Sequence, residues 1–397
     1  MPLKVFTTFS GYDSQCLALD RLGIEYDLVG WSEIDKYAIK AHDALYPQYA
    51  NRNFGDITKI DWNAVPDFDL LTYSSPCQDF SIAGLQQGGE KGSGTRSSLL
   101  WEVEKAIATK RPKWLLMENV AALVSHKFKP LLLRWMHTIE KYGYKNLTKV
   151  LNAKNYNIPQ NRERVFVVST LNKEPFFFPR PKPLKRSIIN VLEKTVDERY
   201  FLTDAQIESY QSSSYIQNKR RLQEKQWCDT LTARDWKDPK CVCVGRLTSD
   251  KWGKTHESTR RVYSPDGISP TLNCCEGGNL QPKILADFGG VSVNPISHAL
   301  EFKDKWDTEK SPALRASDYK APHCAKLGDR IRKLTPRECF RLMDVSDSDI
   351  DKIQAAGISN SQQYKLAGNS ICVGVLVDIF RKMFINRESE TQQRELF

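Results

Sequence analysis

A repeated alternation of strand-like and helical runs over the first 170 residues constrains the fold of this 397-residue chain more than any other feature. Short β-rich runs alternate with stretches that carry apolar residues at helical spacing. This order predicts an α/β architecture, a parallel sheet with helices on both faces. The predicted strands are Leu3–Phe9, Tyr26–Trp31, Asp69–Tyr73, Lys113–Met117, Leu147–Leu151 and Arg164–Ser169. The predicted helices are Ile34–Leu45, Ser98–Ala108, Lys129–Tyr142, Pro336–Met343 and Ser361–Ile385.

A proline-rich connector ends the alternation. Residues 174–183 contain four prolines, each of which fixes φ and removes a backbone donor, so this stretch predicts a stiff link between domains. Two domains also suit the length, because single hydrophobic cores stop growing at roughly 250–300 residues. We predict a first domain over residues 1–184, completed by residues 345–397. Residues 185–344 are turn-rich and predict a smaller, mostly irregular or β domain with its hinge.

The composition excludes several classes of protein. With 40% hydrophobic and 27% charged residues, the chain is too apolar to be disordered and too polar to be a membrane protein. Its ten cysteines include no Cys-x-x-Cys pair, so neither a zinc site nor a disulfide framework is encoded. The chain opens on a strand-like run rather than a signal peptide. We therefore expect a cytoplasmic protein that binds no metal and no membrane.

An excess of positive charge indicates a polyanionic partner. The formal net charge is +10, and Lys219–Arg261 holds 12 Lys and Arg against 6 Asp and Glu. Trp227, Trp236 and Trp252 lie among these charges, and basic residues interleaved with aromatic ones are typical of nucleic-acid binding. The alternative is a solvated basic surface.

A glycine turn after the first predicted strand indicates a nucleotide-type cofactor. Gly11 precedes a predicted helix, and Glu33 lies at the tip of the second strand. Nucleotide-binding folds place the partner of the ribose hydroxyls about 20 residues past such a turn. The pattern Gly-x-Gly-x-x-Gly is absent, which favours an adenosine cofactor without phosphates. An ordinary turn is the alternative.

Cys77 follows the third predicted strand, at the sheet edge where open α/β folds bind ligands. A thiolate is the most nucleophilic side chain near neutral pH when nearby positive charge lowers its pKa. The glycine-rich stretch from Gly84 to Thr95, with Arg96 at its far end, predicts a lid over this residue. A buried cysteine before a surface loop is the alternative.

Three charged residues complete a predicted reaction centre at this edge. Glu118 ends the fourth predicted strand, where burial would raise its pKa and make it a general acid. Arg162 and Arg164 are two apart and therefore share one face of an extended strand. Paired arginines can clamp an anion and keep a neighbouring thiol ionised.

Six motifs occur in order along nearly the whole chain, apart from about residues 190–325: Phe9-x-Gly11, Ser75-Pro-Cys-Gln78, Glu118-Asn-Val120, Gln160-x-Arg-x-Arg164, Leu334-Thr-Pro-Arg-Glu-Cys339 and Gly368-Asn-Ser370. In order and spacing, these motifs resemble the DNA cytosine-5 methyltransferase family. The resemblance implies a Rossmann-like, S-adenosylmethionine-dependent methyltransferase domain and a smaller target-recognition domain. One departure is Tyr12-Asp13-Ser14, where the family commonly has further glycines.

The resemblance also implies a mechanism on a cytosine flipped out of duplex DNA. Cys77 would add to C6 while Glu118 hydrogen-bonds or protonates N3, and C5 would then take the methyl group. Arg162 and Arg164 would hold the base and lower the pKa of the thiol. S-adenosylmethionine, leaving as S-adenosylhomocysteine, would be held by Phe9, Gly11, Glu33, Ile34, Asp56, Ile57, Pro76, Leu99, Asn369 and Ser370.

The segment without family motifs would choose the DNA sequence, with residues outside it contributing from the catalytic side. The candidate DNA contacts are Ser81, Arg96, Arg234, Lys240, Arg260, Arg261, Thr271 and Asn273. We predict a monomer that acts on double-stranded DNA, in a bacterial or phage modification system that includes or lacks a cognate restriction endonuclease. Two alternatives are a tRNA cytosine-5 methyltransferase of the same fold and a catalytically silent DNA-binding relative.

Overall fold

A computed structural model of the protein describes residues 1–76, 96–171, 175–201 and 331–385, with short strands at 243–246, 261–263, 269–270, 283–285, 291–293 and 300–302. The chain divides into two compact units. The first comprises Met1–Arg186, Thr271–Gly277 and Cys339–Phe397, and the second comprises Ser187–Pro270 and Gly278–Glu338. The functional roles that the sequence predicts for the two domains stay predictions.

The main sheet belongs to the first unit. Its strands are β1 (Leu3–Thr8), β2 (Tyr26–Ser32), β3 (Leu70–Tyr73), β4 (Trp114–Val120), β5 (Tyr144–Asn152) and β7 (Glu163–Leu171), with the two-residue β6 (Gln160–Asn161) just before β7. Within the described residues, six of these strands lie in the order β2-β1-β3-β4-β7-β5. The pairs β1–β2, β1–β3 and β3–β4 are parallel, as predicted.

The direction of β7 differs from the prediction of a parallel sheet, because β7 runs antiparallel to both β4 and β5. Only residues 153–162 connect β5 to β7, and they contain one short 3-10 helix, Ala153–Asn155. A parallel pair needs a crossover of about a dozen or more residues, usually an α-helix, whereas an antiparallel pair closes over a short connection.

The helices largely follow the predicted positions. In the described part of the chain they are α1 (Ser14–Arg21), α2 (Lys36–Leu45), α3 (Val103–Lys110), α4 (Lys129–Lys141), α5 (Pro336–Leu342), α6 (Asp347–Ala355), α7 (Asn360–Asn369) and α8 (Val373–Phe380). The predicted helix Ser361–Ile385 is interrupted between α7 and α8. Helix α6 was missed, although Ser346 caps it by accepting the Asp349 N–H at 3.2 Å, a standard helix-start signal.

Apolar side chains cover both faces of the sheet. Phe6, Leu71 and Met117 belong to a large core that also contains Val103 of α3 and Trp135 of α4. The alternate strand residues Val5, Leu70 and Leu116 point to the other face and are at most 1% exposed. Burial on both faces leaves the carboxyl ends of the parallel strands as the open edge for a ligand, in agreement with the predicted α/β architecture.

The described segments of the second unit include several short strands, in agreement with its predicted β character. These are β8 (Cys243–Arg246), β9 (Arg261–Tyr263), β10 (Ser269–Pro270), β11 (Lys283–Leu285), β12 (Val291–Val293), β13 (Leu300–Phe302) and β14 (Ile331–Lys333). Among the described segments, one sheet has the order β14-β11-β9-β8, and β12 pairs with β13. A search of the described residues finds no helix long and apolar enough to cross a membrane.

Candidate active site

The loop that joins β1 to α1, residues 9–13, has an unusual backbone, and we call it the β1 loop. Phe9, Gly11 and Asp13 have φ angles of 53°, 59° and 66°, in the left-handed region. Glycine adopts this region without steric cost, whereas Phe9 and Asp13 must be held there by surrounding contacts. The conformation turns backbone N–H groups of the loop toward the carboxyl edge of the sheet, as the contact between Gly11 and Glu33 illustrates.

The side chain of Glu33 is fixed by backbone donors from two segments. Its Oε2 accepts the N–H of Gly11 at 3.0 Å, and its Oε1 accepts the N–H groups of Ile34 and Asp35 at 2.8 and 2.9 Å. The Asn53 side chain brackets the main chain of Glu33, accepting its N–H at 3.2 Å and donating to its carbonyl at 3.1 Å. The structure therefore brings the predicted pair Gly11 and Glu33 together.

The other predicted cofactor residues lie on neighbouring segments of the first unit. Ile34 is 71% exposed directly after Glu33, whereas Ile57 is only 4% exposed. Asp56 accepts the N–H and the hydroxyl of Thr58, and this bonding lowers the pKa of the Asp56 carboxyl. Of the remaining predicted residues, Phe9 and Leu99 pack against the apolar core. Pro76 follows Ser75 at the exit of β3, Asn369 is the last residue of α7, and Ser370 follows it.

Asp13 is a fully buried carboxyl that was not among the site residues predicted from the sequence. It caps α1, accepting the Thr7 hydroxyl at 2.8 Å and the Cys16 N–H at 3.4 Å. Its Oδ2 lies 3.8 Å from Nε2 of His42, which is also buried and stacks on Trp31. Burial raises the pKa of Asp13 to about 7 and lowers that of His42 to about 3. An aspartate before a helix is a capping signal, but its burial has no local signal in the sequence.

The raised pKa of Asp13 predicts a pH-dependent stability. The folded protein holds this proton more tightly than the unfolded chain, so Asp13 costs stability as the pH rises from its usual pKa of 3.8 to about 7. Asp13→Asn removes this dependence. From about pH 5 to about pH 8, we expect the free energy of unfolding of the variant, relative to the parent, to rise by roughly 3 kcal/mol.

Urea unfolding of Asp13→Asn at several pH values tests this expectation, and Asp61→Asn at an exposed carboxyl is the control. The control is expected to show no such trend. A stability difference between Asp13→Asn and the parent that stays constant with pH would contradict the prediction.

Glu118 lies near the end of β4 and is only 8% exposed. Its Oε1 is 3.1 Å from Nε of Arg164. Arg164 belongs to β7, where its backbone lies opposite Val120 of β4. Burial raises the pKa of the Glu118 carboxyl, and the charges of Arg164 and Arg162 oppose this rise without cancelling it. A carboxyl that holds its proton more tightly than usual beside two cations can donate that proton to a basic atom of a bound molecule.

Arg162 is 3% exposed and lies in the break between β6 and β7. The prediction that Arg162 and Arg164 share one face of a continuous strand was therefore wrong. Its Nη2 donates to the carbonyls of Gly368 and Ser370 at 3.0 and 2.7 Å. These carbonyls lie at the carboxyl end of α7, where a cation is favoured by the helix dipole. The long-range contact joins the residue just before β7 to the Gly368-Asn-Ser370 segment at the end of α7.

Asn119 ties together the exits of β3 and β4, a contact that the sequence reading missed. Its Nδ2 donates to the Ser75 carbonyl at 3.2 Å, and its Oδ1 accepts the N–H of Val120 at 2.9 Å. Ser75 directly precedes Pro76 and Cys77 in the chain. The backbone that leads to Cys77 is therefore held beside the strand that carries Glu118.

Several predicted residues lie outside the described part of the chain: Cys77, Ser81, Arg234, Lys240, Arg260, Thr271 and Asn273, with most of the predicted lid. Arg96 begins the 3-10 helix Arg96–Glu102 and Arg261 begins β9, and only their backbones are described. Among the described residues no group of three or more His, Cys, Asp or Glu side chains could hold a metal ion.

Comparisons with known proteins agree on one family. The sequence model for C-5 cytosine-specific DNA methylase matches residues 3–385. The orphan methyltransferase M.SPRI of Bacillus phage SPR is 33% identical, and the match covers 98% of this chain and 99% of the relative. The type II methyltransferase M.HhaI of Haemophilus parahaemolyticus is 31% identical over 94% of this chain and 92% of its own length.

A solved structure shows the same fold at lower sequence identity. The S. pombe Dnmt2 methyltransferase superposes with a TM-score of 0.60 and 16% identity, covering 96% of this chain and 97% of that chain.

Proposed function

Because the chain belongs to the C-5 cytosine-specific DNA methylase family, we propose that it transfers the methyl group of S-adenosylmethionine to C5 of a cytosine within a specific duplex DNA sequence. The observation that carries the proposal is the buried Glu118 carboxyl, whose pKa is raised although Arg164 lies 3.1 Å away. A carboxyl with a raised pKa at the predicted ligand edge of the sheet can hydrogen-bond or protonate N3 of cytosine and so draw electron density from the ring.

The residues around the β1 loop fit the proposed cofactor. The Glu33 carboxylate, held in place by the N–H groups of Gly11, Ile34 and Asp35, is oriented for ribose hydroxyls. The exposed side chain of Ile34 offers an apolar contact for adenine, and Asp56 supplies an acceptor nearby in the chain. Bound there, S-adenosylmethionine would supply an electrophilic methyl group. Pro76, Leu99, Asn369 and Ser370 are proposed as further contacts.

The proposed chemistry begins with Cys77 as a thiolate. A bond forms between the Cys77 sulfur and C6 of the ring while Glu118 gives its proton to N3, so that electron density reaches C5. Once C5 has taken the methyl group, with S-adenosylhomocysteine as the leaving group, a base removes the C5 proton and the sulfur–C6 bond breaks, so that its electron pair returns to Cys77. N3 then returns its proton to Glu118. Arg164 and Arg162 keep positive charge at this edge, which favours the ionised thiol.

The proposal also requires that the cytosine leave the duplex. Glu118 is 8% exposed, and a base that remains stacked and paired does not present N3 or C6 to such a recessed group. Flipping the nucleotide out costs a few kcal/mol of stacking and pairing. We propose that the basic segment Lys219–Arg261, with Thr271 and Asn273, reads or holds the surrounding DNA.

The proposed setting is the cytoplasm of a bacterium, where the protein acts as a monomer on double-stranded DNA. The phage relative is named an orphan methyltransferase and the Haemophilus relative a type II methyltransferase, which supports a modification enzyme that acts with or without a cognate endonuclease.

Sequencing of C5 methylation at single-base resolution tests the function. We expect DNA from a host that expresses the chain to carry 5-methylcytosine within one short sequence, and DNA from a host with the empty vector to lack it. Methylated tRNA with unmethylated DNA would instead support a tRNA enzyme of the same fold. Unmethylated DNA and tRNA, with DNA binding retained, would identify a silent relative.

A further inference from the structure

The β1 loop needs anchors outside itself. Two of its non-glycine residues, Phe9 and Asp13, have positive φ angles, which are unfavourable for residues other than glycine unless their surroundings hold them. Glu33, directly after β2, accepts the Gly11 N–H, and Thr7 of β1 donates its hydroxyl hydrogen to the Asp13 carboxyl. These two anchors come from the sheet, and neither connects the loop to the helices at the end of the chain.

Tyr12 supplies a third anchor, from the middle of the loop. Its side chain is 1% exposed, and its ring meets Phe340 edge to face with centroids 5.7 Å apart. The hydroxyl donates a hydrogen bond of 2.7 Å to Oγ of Ser370, which lies 358 residues further along the chain. Burial raises the pKa of Tyr12 to about 12, so the hydroxyl keeps its proton and remains a donor at neutral pH.

Ser370 is held from two sides at once. Its Oγ accepts from Tyr12 and donates to the Ala367 carbonyl at 2.9 Å, while its own carbonyl accepts from Nη2 of Arg162 at 2.7 Å. Arg162 in turn adds positive charge at Glu118. A single residue therefore receives a hydrogen bond from the β1 loop and another from the arginine beside the acid.

We propose that Tyr12 is a positioning residue that fixes the β1 loop against Ser370 and so sets the affinity for S-adenosylmethionine and the placement of its methyl group relative to the cytosine. The inference rests on the proposed function. Tyr12 lies in the Tyr12-Asp13-Ser14 stretch, where the family commonly has further glycines. Tyr12 need not touch the cofactor, since it acts through the backbone of the loop.

A double-mutant cycle on the full-length protein tests the inference, with calorimetric titration of S-adenosylhomocysteine as the readout. Tyr12→Phe removes only the hydroxyl and keeps the ring against Phe340. We expect it to raise the Kd about threefold to tenfold, the effect of one hydrogen bond. Ser370→Ala is expected to raise the Kd at least as much, because Ser370 is also a proposed contact of the cofactor. The Kd of the double variant is expected to be no higher than that of the single variant with the higher Kd, because both substitutions remove the same hydrogen bond.

Tyr144→Phe is the matched control. Tyr144 is 3% exposed and donates to the Pro112 carbonyl at 2.6 Å, just before β4 begins and hence at the opposite edge of the sheet. We expect this variant to lower the thermal midpoint of the cofactor-free protein while leaving the Kd unchanged.

Two outcomes separate the inference from its premise. A parent protein that binds S-adenosylhomocysteine and a Tyr12→Phe variant with the same Kd, even with a lower thermal midpoint, would show a purely structural hydroxyl and overturn the inference alone. A parent protein that does not bind S-adenosylhomocysteine would contradict the proposed function and the inference together. Additive effects of Tyr12→Phe and Ser370→Ala would also contradict the coupling.

Discussion

Replacing Cys77 with alanine is expected to lower the single-turnover rate of methyl transfer by roughly 10⁴- to 10⁶-fold, because the loss of a covalent nucleophile has effects of that size. Binding of duplex DNA and of S-adenosylhomocysteine should persist, since the contacts proposed for both ligands come from other residues. The rate is measured as transfer of labelled methyl groups from the enzyme-bound cofactor to an excess of DNA in a single turnover. DNA binding is measured in parallel.

A covalent trap tests the same residue more directly. In the presence of S-adenosylmethionine, duplex DNA with 5-fluorocytosine at the target site should form a stable adduct with the parent protein, because after methylation the fluorine at C5 cannot leave as the proton does. Cys372→Ala is the matched control, since burial raises the pKa of the Cys372 thiol to about 11 and keeps it neutral near pH 7. The control should still form the adduct. An adduct with Cys77→Ala would rule out Cys77 as the nucleophile.

The second large effect is expected from Glu118→Gln, which preserves the shape of the side chain but removes its acidic proton. We expect kcat to fall about 10²- to 10⁴-fold, the usual contribution of a positioned general acid. Gln is nearly the same size as Glu, and its amide oxygen can still accept a hydrogen bond from Nε of Arg164, so the protein should remain folded. Glu25→Gln is the control. Glu25 is exposed and its carbonyl accepts the N–H of Leu3 at the amino end of β1, away from the proposed site, so this variant should leave kcat unaffected.

The pH dependence of the rate distinguishes an acid from a merely structural carboxyl. Burial raises the pKa of Glu118, and the acid form is the active one, so the parent rate should fall as the pH rises through that raised pKa. Glu118→Gln should lack this decline. An unchanged decline in Glu118→Gln would assign it to another group.

The position of the site was predictable because it depends on local pattern. Strands end where β-rich runs end, and the carboxyl ends of parallel strands meet at one edge, so Gly11, Glu33 and Glu118 could be assigned to that edge from the chain alone. The structure brings Gly11 and Glu33 within 3.0 Å and places Glu118 3.1 Å from Arg164. The roles of these residues in catalysis and cofactor binding are what the experiments above examine.

Other features had no local signal. Asp13 and His42 are ordinary polar residues in the sequence, and their burial beside each other, with Oδ2 of Asp13 3.8 Å from Nε2 of His42, arises only in the tertiary structure. Arg162 was expected to lie on one strand face with Arg164, but the break between β6 and β7 turns it toward the end of α7. A two-residue spacing predicts a shared face only where the strand is continuous.

The sequence by itself determined the α/β architecture, the family and the sheet edge at which the chemistry is proposed, because periodicity, strand exits and ordered motifs are properties of short stretches. Only the tertiary structure decided the antiparallel direction of β7, the burial of Asp13 beside His42 and the hydrogen bond between Tyr12 and Ser370. These depend on desolvation and on contacts between residues far apart in the chain, which arise only when the chain packs.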